Sequence, residues 1–259
     1  AAPASATEGG VEGPPSAQPV HAADGADGGV ALPRDLSDEE MQLEMQLLGV
    51  ACRIIRGCGE SMPSALCSRA LQLLQAVVLL PAAVATQRDP SWRAAVGALC
   101  ELSGAVGGGG EASGGDAAAA PVPPAVSRLA APMLTKAATR ILSEWASMSD
   151  ALADGVLAVR AEQLLHLLSR LALLRLPPDT LGATPGATDA LAKPLRGATA
   201  HLVYLVPALV ACVGRPTRAG AGKASGAEAV QQLQEALREA LQKVVDELGF
   251  PPLALAPNA

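Results

Sequence analysis

His166-Leu-Leu-Ser-Arg-Leu-Ala-Leu-Leu-Arg-Leu-Pro-Pro178 and Tyr204-Leu-Val-Pro-Ala-Leu-Val-Ala-Cys-Val-Gly-Arg-Pro216 share one shape and align without a gap at an offset of 38 residues. Leu167 falls on Leu205, Leu171 on Leu209 and Pro178 on Pro216. A weaker third copy ends in Leu248-Gly249-Phe250-Pro251-Pro252, 36 residues further on. Each is a Leu-rich helical run closed by a small turn and proline, which cannot continue a helix. Such a unit hides its apolar face only against a neighbour. Periods of this size therefore predict stacked helical hairpins.

The surrounding sequence reads as helix too. Val230, Leu233, Leu237, Leu241, Val244 and Leu248 form the best stripe in the chain, behind a capping box at Ser225-Gly-Ala-Glu228. Leu195–Val213 reads as one helix bent at Pro207. A further helix runs from near Ser149 to Leu176, and another from about Val126 to Trp145.

Toward the N-terminus, Ser37-Asp-Glu-Glu40 is a capping box, followed by Met41, Met45, Leu48, Cys52 and Ile55 at helical spacing. Gly57-Cys58-Gly59 ends that helix. The next carries Leu66, Ala70, Leu73, Val77 and Leu80 on its expected apolar face. Asp89-Pro90 opens a third, lined by Trp92, Val96, Leu99 and Val106, because proline's missing amide is harmless in a first turn. Seven or eight helices and no strand are predicted.

Five segments follow from this. Residues 1–36 form an acidic tail, expected to be disordered because it holds almost no large apolar side chains. Residues 37–106 make a first unit of three helices, 107–124 a Gly/Ala/Pro linker, 125–252 a second helical-repeat unit and 253–259 a short tail.

Composition agrees with helix. Half the residues are hydrophobic but only four are aromatic, so the core must be built from Leu, Val and Ala. The formal charge of −6 comes from residues 1–40, which hold eight acids and one base. Residues 121–223 carry eleven Lys/Arg against six Asp/Glu, so the helical body has a modest basic surface to offer. Five cysteines without a CxxC pair point to an intracellular, reducing compartment. No apolar run reaches the roughly 18–20 residues that span a bilayer, so no membrane span is expected. The chain begins at Ala1, and its first 33 residues carry neither a secretory signal nor an Arg-rich transit pattern. A processed form or an excerpt is expected.

The 38-residue spacing and the Leu-x-x-Leu-Pro-Pro ending of residues 173–178 resemble the octotricopeptide repeats of organellar RNA-binding proteins, related to the helical regions of FAST-kinase-like and RAP-domain proteins. The resemblance covers residues 160–252, and the Trp-containing stretch of those repeats has no counterpart there. It implies an α-solenoid, RNA as a partner, and a mitochondrion or chloroplast as the compartment. The N-terminal helix pairs resemble generic HEAT or armadillo units.

No string of residues carries catalysis. Gly220-Ala-Gly222-Lys223-Ala-Ser225 departs twice from a phosphate-binding loop, at Thr217 and at Ala224, and no strand precedes it. The Gly107–Gly110 run lies in low-complexity sequence. His166 and His201 lack a second metal ligand at i+3 or i+4. Cys58, between two glycines, is the thiol expected to be exposed. Among the basic residues of 121–223, Arg170 and Arg175 close one repeat unit and Arg215 and Arg218 close the next. With Lys193 and Arg196, they are the candidate contacts for RNA phosphates if stacking aligns them.

The expected fold is all-α: stacked helical hairpins, as an α-solenoid of HEAT, armadillo or octotricopeptide-like type or as an irregular bundle. The expected function is a non-enzymatic scaffold that engages other proteins in a larger assembly, with no cofactor and no metal. The alternative is an organellar RNA-binding or ribonucleoprotein component.

Overall fold

The structure is a computed structural model and describes residues 36–106, 122–148, 154–182, 189–215 and 224–248. The acidic tail, the 107–110 and 217–223 glycine stretches and the C-terminal Pro251-Pro252 lie outside them. Among the described residues the chain is nearly all helix, and no helix is long and apolar enough to cross a membrane.

Helix α1 spans Asp38–Cys58 and begins where the capping box predicts. The Ser37 amide donates to Glu40 Oε2 at 2.9 Å, and the Glu40 amide donates to Ser37 Oγ at 3.2 Å. Two of the first-turn amides, which have no intrahelical acceptor, are thereby satisfied. Ser37→Ala is expected to cost about 1 kcal/mol in urea denaturation, with the slope unchanged. A loss below about 0.3 kcal/mol would show that the box contributes nothing to the folded body.

Helix α2 (Ser64–Val78) turns out one residue out of phase with its expected face. Cys67, Leu71, Leu74 and Val78 are buried, while Leu66 and Leu73 are exposed. Ser64, Ser68, Gln72 and Gln75 mark one polar side of the helix, but the apolar arc opposite is wide enough for two stripes one residue apart, and packing on α4 and α5 selects between them. A short helix, α3 (Ala82–Gln87), follows Pro81 and was not expected. Six residues are too few to show a helical period. Helix α4 (Asp89–Ser103) starts at Asp89-Pro90 as read, and buries Trp92, Val96 and Leu99. Four helices therefore stand where three were expected.

Helix α5 (Pro124–Ser147) and helix α6 (Asp154–Leu173) follow. The expected helix to Leu176 stops at Leu173, because Leu174-Arg175 leaves it as a two-residue strand, β2. It pairs antiparallel with β1 (Ala105–Val106), Ala105 opposite Arg175 and Val106 opposite Leu174. The expectation of no strand is thus corrected by one minimal ladder. Pro177 disfavours helix just before it, and the freed backbone finds partners in β1 and in Ala198, whose carbonyl accepts from the Leu176 amide at 2.8 Å. Gly104 makes the ladder possible, since a Cβ there would run into the Arg175 carbonyl.

The single helix read over 195–213 is two: α7 (Asp189–Arg196) and α8 (Ala200–Val213). The break falls at Gly197, whose amide donates back to the Pro194 carbonyl at 3.2 Å, and Pro207 stays inside α8. Helix α9 (Ala224–Leu248) completes the chain and buries Leu233, Leu237, Leu241 and Val244 as expected.

Helix α4 lies at the middle, against α1, α2, α5 and α6; α5 also meets α8, and α6 meets α9. The 107–124 stretch separates the helices in sequence but not in packing, since those before and after it share one hydrophobic core. Both repeat copies bury their aligned leucines, Leu167 with Leu205 and Leu171 with Leu209. Polar side chains pin the helices to one another at carbonyls. Gln75 Nε2 donates to the Met133 carbonyl at 3.0 Å, Lys243 Nζ to that of Ala172 at 3.0 Å, and Trp92 Nε1 to that of Val78 at 3.0 Å.

Candidate functional site

Helix α1 carries two apolar stripes. Leu48, Cys52 and Ile55 face the core against α4. Leu43, Leu47, Val50 and Ile54 form a second stripe at spacings of 4, 3 and 4, and they remain 56%, 59%, 41% and 50% exposed. A lone exposed leucine needs no explanation, but four at helical spacing on one face are a surface that water hydrates poorly. Acidic Asp38, Glu39 and Glu40 stand at its N-terminal end, with Arg53 near its C-terminal end. Glu44, beside the stripe, turns inward to Arg88 at 3.8 Å. The sequence held this signal, because Leu43, Leu47, Val50 and Ile54 keep a helical period. The core-facing stripe beginning at Met41 accounts for the helix by itself, so the sequence alone gives the second stripe no separate role.

Three of the basic residues expected to contact phosphates, Arg175, Arg215 and Arg196, have local partners. Arg175 donates to the carbonyls of Ala172 and Leu174, each at 3.1 Å, closing the end of α6. The Arg215 guanidinium sits 4.5 Å from the ring centroid of buried Trp145. Arg196 is 3.7 Å from Asp179. Lys193 is exposed on α7, Arg170 is half-buried on α6, and Arg218 lies outside the described residues. Arg160, also counted among the basic surface residues, is fully buried. Its guanidinium holds Glu144 at 2.9 Å and Gln163 at 2.9 Å, and lies over Trp92. Burial pushes its pKa down while Glu144 pulls it up. Three further cations stand on the exposed side of one helix. Arg128, Lys136 and Arg140 are all exposed on α5, at multiples of four residues, and no described acid pairs with them.

Among the described residues, no three His, Cys, Asp or Glu side chains come together as a metal site. One recess of 240 Å³ is lined by Leu79, Pro81, Arg140, Ile141 and Glu144. Its carboxylate is already engaged by Arg160 and by the Ala82 amide. His201 Nε2 is 2.8 Å from the Leu171 carbonyl, a helix-pinning contact. His166 is half-buried, and burial, then Arg93 and Arg170, hold its pKa below the usual histidine value.

Cys58 is exposed, as expected, and Cys52, Cys67, Cys100 and Cys212 are buried. Burial drives the Cys100 thiol to about 12 and the Cys212 thiol to about 11. Thiolate is the reactive form, so these two are inert at neutral pH. Titration of the native chain with an aromatic disulfide at neutral pH should therefore release one equivalent rapidly, from Cys58, and the four buried cysteines should react only in denaturant. A second fast equivalent would mean that one of the buried helices opens readily.

No known protein family, curated protein or solved structure matches the chain.

Proposed function

We propose that this chain is a non-enzymatic helical scaffold that binds other proteins within a larger assembly, its helical hairpins stacked as a solenoid-like support. The observation that carries the reading is the exposed stripe Leu43, Leu47, Val50 and Ile54 on α1. An apolar helix face framed by charges at both ends has the character of a protein-binding surface: an apolar centre with a polar rim. The test is quantitative co-purification of the tagged full chain from its source cells, wild type against Leu47→Glu. The expected result is a set of stoichiometric proteins lost from the variant while its helical circular dichroism is unchanged. An identical set with both chains, or none with either, overturns the reading.

A second reading, an organellar RNA-binding component of octotricopeptide-like type, draws support from the exposed cations Arg128, Lys136 and Arg140. It is tested by binding to a pool of single-stranded RNA across a salt titration. Phosphate contacts predict affinity that falls steeply with salt, and Lys136→Glu/Arg140→Glu should flatten that slope. Absence of binding even at low salt removes this reading.

A further inference from the structure

We infer that the exposed stripe of α1 takes a second copy of itself, in an antiparallel helix pair related by a two-fold axis. This rests on the reading of that face as a binding surface, and names its occupant. Leu43, Leu47, Val50 and Ile54 follow one another at 4, 3 and 4 residues, the alternating spacing of a coiled-coil seam. That pattern is the same read from either end. Turned end for end, the stripe therefore meets itself in register: Leu43 faces Ile54 of the second copy, and Leu47 faces its Val50. One surface patch is self-complementary, as a two-fold interface requires.

Charge selects the antiparallel direction. The first turn of α1 holds Asp38, Glu39 and Glu40, while Arg53 and Arg56 lie in its last two turns. Parallel pairing would place six carboxylates side by side at one end. Antiparallel pairing brings each acidic end toward the arginine end of the other helix and sets the two helix dipoles in opposition. Beside the seam, Gln46 comes across from Arg53 of the second copy, and Ala51 from Glu44, which keeps Arg88 of its own chain at 3.8 Å. Four layers of partly exposed side chains make a small interface, short of the roughly 1,200 Å² at which stable complexes begin, so the pair dissociates at micromolar concentrations. The geometry also excludes a disulfide as its cause. Exposed Cys58 of the two copies would lie about 28 Å apart along the helix axis at 1.5 Å per residue.

The experiment is sedimentation velocity of the full chain, with reductant, from roughly 1 to 200 μM, the span over which an interface of this size should assemble. A monomer–dimer equilibrium is expected. Leu47→Glu should weaken it at least about tenfold, since it buries a charge in the seam, with helical content retained. Direction is read by oxidising variants that carry one exposed cysteine each, in a Cys58→Ser background that leaves only the four buried thiols. Leu43→Cys and Ile54→Cys should cross-link when mixed and not when alone, because like positions would sit about 16 Å apart along the axis. A monomer at every concentration, a dimer that reductant dissolves, a dimer indifferent to Leu47→Glu, or cross-linking of Leu43→Cys with itself each overturns the inference. If the wild type stays monomeric but Leu47→Glu still sheds co-purifying proteins, the second copy is excluded and the scaffold stands. If the chain dimerises and the variant sheds nothing else, the pair stands and the scaffold falls.

Discussion

Arg160→Met is expected to lower the stability of the folded chain by about 3 kcal/mol, more than any other change to a charged side chain. Arg160 is fully buried on α6 and bridges to Glu144 of α5 at 2.9 Å. Its other terminal nitrogen donates to Gln163 at 2.9 Å, and Gln163 in turn donates to the Ala85 carbonyl at 2.8 Å and to Asp89 at 3.0 Å. The second oxygen of Glu144 accepts the Ala82 amide at 3.2 Å. One guanidinium thus holds together a polar web running through α3, α4, α5 and α6. Removing it strands the Gln163 oxygen and leaves Glu144 without its cation. Breaking such a pair costs about 3–5 kcal/mol when both partners are buried. Glu144 keeps 37% of its side chain exposed, and water can rehydrate it, so the lower end of that range applies. Methionine fills the same volume, which separates the charge effect from a cavity. Urea denaturation and a melting scan should agree on this loss, which corresponds to a fall in Tm of roughly 6–12 °C for a chain of this size. The double change Arg160→Met/Glu144→Gln should recover at least a third of the loss, because the stranded charge is then gone. A single-variant loss below about 1 kcal/mol would place Arg160 among ordinary surface ion pairs.

That web also marks where the sequence stops being legible. The helices themselves could be read: α1 and α4 carry apolar residues at helical spacing between a cap or proline and a glycine, and α9 shows the stripe Leu233, Leu237, Leu241 and Val244. Helix α2 defeats the same method, since opposite its polar side of Ser64, Ser68, Gln72 and Gln75 the apolar arc from Leu66 and Leu73 round to Leu71 and Val78 is wide enough for two phases. Helix α3 and the ladder of β1 with β2 are too short to have a period, and both exist through contacts made far along the chain. The break between α7 and α8 depends on Gly197, a residue that helices also tolerate in their interiors. Charge was the least legible property. Arg160 and Arg140 are the same residue type in neighbouring helices of the basic segment, yet one lies in the core and the other in water. Only the placement of Glu144 and Gln163 decides which is which. The exposed stripe of α1 lay in plain view as a helical period. What the sequence lacks is any statement of which of two apolar faces a helix turns inward.

Trp92→Ala is expected to destabilise the chain by about 3–5 kcal/mol, the largest single loss in the molecule. Trp92 has no exposed surface, and it sits in the first turn of α4, the helix against which α1, α2, α5 and α6 all pack. Its indole N–H donates to the Val78 carbonyl at 3.0 Å, at the end of α2 where carbonyls have no helical donor. The Arg160 guanidinium lies 5.7 Å from its ring centroid, so truncation also removes a wall of the polar web. Cavity, hydrogen bond and cation–π contact all act in one direction. Trp145 provides the control. It is just as buried, at 1% exposure, but its indole N–H has no acceptor among the described residues. Phenylalanine at position 92 loses volume and also strands the Val78 carbonyl, for about 2 kcal/mol. At position 145 it loses similar volume but removes an unsatisfied donor, and should cost about 1 kcal/mol or less. The two variants, compared by urea denaturation followed through helical circular dichroism, isolate the hydrogen bond from the size of the ring. Equal losses would mean that the Val78 contact adds nothing, and that volume alone sets the role of Trp92 in the core.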